Sequence, residues 1–523
     1  MRRSPAVLVC VWLLVAGLIA APATAQPSPA RPPTRPDAEL DLGGPGLPET
    51  REQTTLAPGV TYTRIERGQP SPRDAYTVEV RFSTSRRETV DLWRQLRADG
   101  FDAWMDTVAH RAQDDPGNGP LGWVVRVGRF ATLAEADAAR AALAAAGYGG
   151  LRVHHTAEAG GPTTGPWVVH VLEVAPGAAD VDAALATEII PGREATSAIA
   201  ERLDAIAAMN GGYFVIGEAD GTPGDLAGIS VLDGELVSEA VDGRTSLVLD
   251  PNGDPQIVTL STTTTAIAED GATRVVDGHN REPGEIRACG GDGGDVPTED
   301  PRHDFTCTDD SELIAFDAAF GATSDDGAGS EVVLDADGTV VEVRDTRGGP
   351  IPADGLVLAA TGDAVEWLEE HAPLGATVTL DIAYSDADGA VELPEGADVV
   401  NGGPRLLSDG RLDIPSAAEG FVWPDDPSFF FRFGLWRHPR TLAGVRADGT
   451  LLLVVVDGRN PDVSVGATFA ESARILRSLG AVEGVNLDGG GSSTMVVGDE
   501  VVNRPSDATG ERPVGDAIVI TTP

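Results

Sequence analysis

Residues 451–491 read LLLVVVDGRNPDVSVGATFAESARILRSLGAVEGVNLDGGG, and this run constrains the fold more than any other part of the chain. Its first segment is apolar on both faces, as a strand buried inside a sheet must be, and ends at Asp457. The middle segment places Phe469, Ala473, Leu476 and Leu479 on one side of a helix. A second strand follows and stops at Asp488, before three consecutive glycines. A strand, short helix and strand of this size favour parallel strands joined by a right-handed crossover. Asp457 and Asp488 are then expected at the same sheet edge, beyond the carboxyl ends where such sheets take ligands.

The glycine run is one of three similar turns. NGGYF begins at Asn210, NGGPRLL at Asn401 and NLDGGGSST at Asn486, the last two directly after apolar strand-like runs. Asn and Asp tolerate left-handed backbone and hold turns through their side chains, so one such turn is ordinary. Three in one domain, if they converge, form a concave wall of backbone N–H groups suited to an anion or a sugar. Upstream, WRHPRTLAG clusters Arg437, His438 and Arg440 just before the Asp457 strand.

Composition narrows the partners. The net charge is −44, which disfavours nucleic acid and anionic membranes. All 38 basic residues are arginine, so phosphate chemistry must use guanidinium forks, hydroxyls and backbone N–H groups. The N-terminus, MRRSPAVLVCVWLLVAGLIAAPATAQ, has the charged, apolar and small-x-small regions of a secretory signal peptide with cleavage expected after Ala25. An uncleaved anchor is the alternative; cleavage leaves no membrane span and removes Cys10. Cys289 and Cys307 remain, and in an exported chain such a pair is expected to close a disulfide. A metal site is the other reading, but His303 and Asp292 nearby match no zinc spacing.

The sequence divides into a signal peptide (1–25), a Pro/Gly-rich linker (26–73), a small domain (74–157) and a large one (166–523). In the large domain a helix is expected from Thr196 to Ala208, with Ile199, Leu203 and Ile206 on one face. The small domain repeats one strand, helix, strand pattern. AYTVEVRF, RETVDLWRQLRADG and FDAWMDTV are followed by GWVVRVGRF, TLAEADAARAALAAAG and YGGLRVHH, a βαββαβ order. Its second half, with Gly128, Phe130 and Gly147, resembles the SPOR domain family. That resemblance implies a cell-wall module binding peptidoglycan glycan strands through an open sheet face. The first half has Arg81-Phe82 in place of the glycine-bearing motif, which leaves its share in glycan contact open.

NGGYF, HPRTLAGVRADGTLLLVVVDGR, VNLDGGGSSTMVV and VNRPSDATGERPVGDAIVI together resemble the phosphodiester glycosidase family over roughly residues 167–523. The fold class implied is α+β, a mixed-sheet glycosidase domain preceded by the SPOR-like unit, with the stretch around Cys289 as an inserted loop. The reaction implied is hydrolysis of the bond between a sugar's anomeric carbon and a phosphodiester. A phosphate leaves without protonation, so the general acid of ordinary glycosidases is dispensable. What the chemistry needs is positive charge on the departing phosphate and one carboxylate for water or for the oxocarbenium-like carbon.

On this basis Asp488 or Asp457 is the expected base or stabiliser, and Arg440 grips phosphate with the N–H groups of Gly489, Gly490 and Gly491 and the hydroxyls of Ser492, Ser493 and Thr494. Asn210 and Asn503 are expected at the sugar hydroxyls, Gly211 and Asn486 are further substrate-binding candidates, and Arg405 is a further phosphate candidate. His438 is either a partner of these groups or a packed surface residue. Asp457 and Asn503 have structural alternatives, as a turn cap and a loop brace. No cofactor is required, and a divalent cation is possible without an assignable ligand set. The expected protein is a secreted or wall-associated hydrolase acting on a phosphosugar polymer. Its alternatives are a non-catalytic phosphoglycan binder and an enzyme that attacks at phosphorus.

Overall fold

The computed structural model describes residues 38–522 except 242, 285, 288–295, 298–305 and 424–425. The first hairpin, β1 (Glu49–Ala57) and β2 (Val60–Arg67), turns at Gly59 with φ +81. β2 then pairs along its whole length with β7 (Trp167–Val174), so the SPOR-like unit is inserted between two neighbouring strands. This corrects the linker expected over residues 26–73: its 49–67 portion extends the main sheet. The hairpin is hard to read because Thr, Glu and Arg dominate it, and only Val60, Thr63, Ile65 and Arg67 of β2 point inward.

The inserted unit runs β3 (Tyr76–Ser83), α1 (Arg86–Ala98), β4 (Ala103–Val108), β5 (Gly122–Phe130), α2 (Leu133–Ala145) and β6 (Arg152–His155). This is the expected order, with sheet order β4-β5-β3-β6. Ser85 caps α1, and Thr132 with Glu135 closes a capping box on α2. Both helices cover the face carrying Val78, Val80, Val125 and Val127. The opposite face, expected to be open, is closed by α4 (Ser428–Phe433) and the turn after it. Phe82 stacks on Phe431 at 4.6 Å, His154 lies 4.4 Å from Trp436, and Glu79 pairs with Arg432 at 3.3 Å. Phe82 and Val124 place apolar surface on that face, which burial against FFFRFGLW removes from water.

After β7 come β8 (Asp180–Leu185), α3 (Thr196–Arg202) and β9 (Ala207–Asn210). The helix expected to reach Ala208 therefore ends at Arg202; Asp204 takes φ +52, and Ile206 already bonds a neighbouring strand. Later elements are β10 (Asp398–Asn401), β11 (Arg405–Ser408), β12 (Arg411–Leu412), α4, β13 (Arg440–Arg446), β14 (Leu451–Val456), α5 (Phe469–Ser478) and β15 (Ala481–Asn486). The chain closes with β16 (Met495–Val497), β17 (Glu500–Val501) and β18 (Asp516–Thr521). Residues 230–391 supply further, mainly antiparallel strands. Thr306–Thr308, which contains Cys307, pairs with two short strands on either side.

The main sheet has the order β1-β2-β7-β14-β13-β15-β11-β12. β14 and β15 each run antiparallel to β13 between them, so they are parallel to one another as expected, one strand apart. α5, capped by a Thr468–Glu471 box, packs Phe469, Ala473, Ile475 and Leu476 on one sheet face. The sheet β17-β16-β9-β18-β8 covers the other through Met209, Met495 and Ile518. The ends of β9, β10 and β15 thereby meet.

Candidate functional site

Each Asn turn follows a strand, and all three converge. Asn210 donates to the carbonyl of Asp488 at 2.8 Å and accepts from Thr441 and the Thr494 N–H. Asn401 accepts from the Tyr213 N–H at 2.8 Å. Asn486 donates to the Tyr213 hydroxyl and to the Gly403 carbonyl. The turns do meet, but their Asn side chains face inward and are buried. Asn210 and Asn486 thus brace the turns, which corrects the expected place of Asn210 at the sugar and of Asn486 in substrate binding: each sits at a strand end where neighbouring backbone must be satisfied.

The glycines have specific causes. A Cβ on Gly211 would lie 2.5 Å from Asp516 Oδ2, and one on Gly212 would lie 2.4 Å from Asn401. Gly490 takes φ +66, left-handed backbone that glycine adopts without strain, and its N–H is spent on Pro439. At Gly491 a Cβ would meet an Arg512 nitrogen at 2.1 Å, and at Gly489 it would press on the Pro439 carbonyl at 3.0 Å. The turn is shaped to let arginines approach.

Asp488, at the end of β15, is half-buried. Its charge acts on Tyr213, Asp516 and Arg459. Asp516 opens β18, is almost wholly buried, and accepts the Gly212 N–H at 2.9 Å. Burial, then the neighbouring Asp488 charge, push its carboxyl up to about 7. Burial likewise pushes the Tyr213 phenol up, with Asp488 adding to it. Arg459, at φ +56 beyond the end of β14, bonds Ser506 at 3.3 Å and keeps 44% of its side chain exposed. Asp507 lies 4.0 Å from Arg459 and 2.9 Å from Arg512, so two guanidinium groups share one carboxylate beside Gly490 and Gly491.

Several expected site residues lie elsewhere. Arg440 is 1% exposed; it donates to the carbonyls of Ala467, Phe433 and Trp436 between the rings of Phe433 and Phe469. Burial lowers its pKa to about 10. Its guanidinium points into the core from the first residue of β13, which corrects the expected phosphate grip. Asp457 is also buried: it lies 3.3 Å from His170, accepts the Arg504 N–H at 2.9 Å, and receives Asn503. Asn503 bonds the backbone of Ser493 and Met495. Asp457 and Asn503 therefore brace the loop behind the glycine turn, as their structural alternatives had it.

Ser492, Ser493 and Thr494 are at most 1% exposed, and the Ser493 hydroxyl lies 3.2 Å from that of Thr441. They do not reach an open cleft. Arg405 pairs with Asp413 at 2.7 Å, which uses the charge expected for phosphate. His438 donates Nε2–H to the Arg432 carbonyl at 2.6 Å. Burial and the Arg440 charge drop its pKa to about 3, so it stays neutral and packed. Arg437 binds Glu471 at 2.6 Å and the carbonyls of Ala157 and Gly161, tying the inserted unit to α5. Cys307 is buried, and Cys289 lies outside the described residues.

Tyr213, Arg459, Arg512 and Asp516 were not singled out from sequence, although all lie within or beside the quoted motifs. A signal existed for Arg459, which follows Asp457-Gly458 just past a buried strand, where ligand-facing residues concentrate. Among the described residues no three His, Cys, Asp or Glu are grouped to hold a metal ion, and no helix is long and apolar enough to cross a membrane.

A mostly β protein with a carboxylate and paired arginines at the sheet edge is the class this geometry defines. The phosphodiester glycosidase family profile matches residues 328–521, and the SPOR domain profile matches residues 72–153. The crystal structure of a Burkholderia pseudomallei protein assigned as exported is 36% identical, with a TM-score of 0.83, covering 94% of this chain and 100% of that one. A hypothetical protein from Synechocystis, 16% identical with a TM-score of 0.54 over 92% of this chain and 83% of its own, shares the fold. The SPbeta prophage-derived protein YomE of Bacillus subtilis is 40% identical over 87 residues; the match spans 17% of this chain and only 13% of YomE. The chain carries a phosphodiester glycosidase family domain and, N-terminal to it, a SPOR domain. Family membership suggests a hydrolase, and a SPOR domain implies peptidoglycan binding.

Proposed function

We propose that this chain is an exported hydrolase that cleaves sugar-1-phosphodiester bonds in cell-wall or extracellular glycans, with the SPOR domain placing it on peptidoglycan. Asp488 takes a proton from water, whose oxygen bonds to the anomeric carbon. The bond from that carbon to the phosphate oxygen breaks, and the electron pair leaves with the phosphate. The products are free sugar and a phosphomonoester. Arg459 and Arg512 hold the developing charge on the phosphate. Asp516, protonated below about pH 7, lets Asp488 alone carry the negative charge at the reacting carbon.

The observation that carries the reading is the half-buried Asp488 carboxylate set among Asp516, Tyr213 and Arg459 at the convergence of three glycine turns. Sugar release from a synthetic sugar-1-phosphodiester tests it. Wild type should turn over, and Asp488→Asn should still bind while losing at least about a hundredfold in kcat. Binding without turnover by wild type would make the chain a phosphoglycan-binding protein instead.

A further inference from the structure

The closed face of the SPOR sheet does not meet α4 and α5 everywhere. A cavity of about 670 Å³ remains between them, with Trp104, Arg126 and Arg129 on one wall and Phe431, Leu435 and Arg474 on the other. A second space of about 750 Å³ continues from it, sharing His110, Gly160, Leu412 and Arg474. Together they form one long groove, far larger than a single sugar.

The charge pattern in this groove is unusual for a chain of net charge −44. Arg126 pairs with Asp106 at 2.5 Å, but Arg73, Arg129 and Arg474 have no carboxylate partner among the described residues. The Arg129 guanidinium lies over the Trp104 ring, 4.4 Å from its centre, and that of Arg126 lies 5.5 Å from it, so the indole holds two cations at the groove wall. An exposed guanidinium takes an anionic oxygen pair. The groove is also close to the candidate site. Phe469 lines it on one side and carries the Arg440 guanidinium 4.6 Å from its ring on the other, and Arg440 packs beneath Gly489.

We propose that this groove is a second, non-catalytic site for a phosphate-bearing glycan polymer, held at its phosphates by Arg129, Arg474 and Arg73. The inference rests on the substrate class proposed above. It assigns the SPOR domain's part in polymer binding to a groove shared with α4 and α5, because the centre of its sheet face is covered.

The test uses the full chain and equilibrium binding to three probes: a wall polymer of repeating glycosyl phosphates, a neutral glucan of similar length, and peptidoglycan glycan strands without stem peptides. Wild type should bind the phosphate polymer best, with affinity falling as salt rises. The double variant Arg129→Glu with Arg474→Glu should lose about tenfold or more in affinity, and the milder Arg129→Gln with Arg474→Gln a smaller share. Unchanged affinity in both variants, or equal binding of the neutral glucan or the stripped glycan strands, would overturn the proposal. Turnover of a short soluble sugar-1-phosphodiester by wild type reports on catalysis separately. Loss of that activity with polymer binding intact would sink the catalytic reading alone, and the reverse result would sink the groove alone.

Discussion

Replacing Asp516 with Asn should change how the stability of the whole protein depends on pH. In the fold this carboxyl titrates near about 7, against an ordinary value of 3.8, and it is almost wholly buried. The unfolded chain releases the proton near its ordinary value while the folded chain keeps it. Between the two, the folded state binds more protons, so stability is greatest below the ordinary value, falls as pH rises towards about 7, and is level above it. The window spans about three pH units, and at about 1.4 kcal/mol per unit the folded state loses on the order of 4 kcal/mol across it. Asn keeps an oxygen for the Gly212 N–H bond, imitates the protonated acid in shape, and does not titrate. Urea unfolding at about pH 5 and about pH 8 should show wild type losing roughly 2–4 kcal/mol relative to Asp516→Asn between the two conditions. Identical pH profiles for the two proteins would refute the assignment of a neutral, buried Asp516.

Three further outcomes follow from the geometry. Arg459→Ala should cost about 1.5–3 kcal/mol of transition-state stabilisation, read as a roughly ten- to hundredfold fall in kcat/KM on a sugar-1-phosphodiester with unchanged melting. Phe431→Ala removes a buried ring stacked on Phe82 and should destabilise by about 3–5 kcal/mol in denaturant titration. Asp457→Asn keeps an oxygen for Asn503 and the Arg504 N–H but sets an NH2 against His170 Nε2, and should lower stability by about 1–3 kcal/mol. An Asp457→Asn protein of wild-type stability but without activity would restore this residue to the chemistry.

The sequence carried the fold's local signals better than its long-range ones. The βαββαβ unit was legible because capping residues and glycine stops bound each helix, and β14, α5 and β15 because their apolar faces are continuous. The β1–β2 hairpin was not, since an edge built of Thr, Glu and Arg carries little hydrophobic pattern and its partner β7 lies about a hundred residues on. Convergence of the Asn turns was readable; the direction of their side chains was not. Arg440 and Arg459 both adjoin strand ends, yet Arg440 turns into the aromatic core while Arg459 lies in an exposed left-handed turn. Asp516 was hidden as an acid at the start of an apolar strand, a position that looks ordinary until Gly211 is seen lying against it and the Gly212 N–H donating to it.

Hydrolysis in isotopically labelled water tests the central claim most directly, because it reports which bond Asp488-assisted water attacks. With a sugar-1-phosphodiester and wild-type protein, the heavy oxygen should appear on the anomeric carbon of the released sugar and be lacking from the phosphomonoester. Label on phosphorus, or no release at all under conditions where the substrate is bound, would contradict the account.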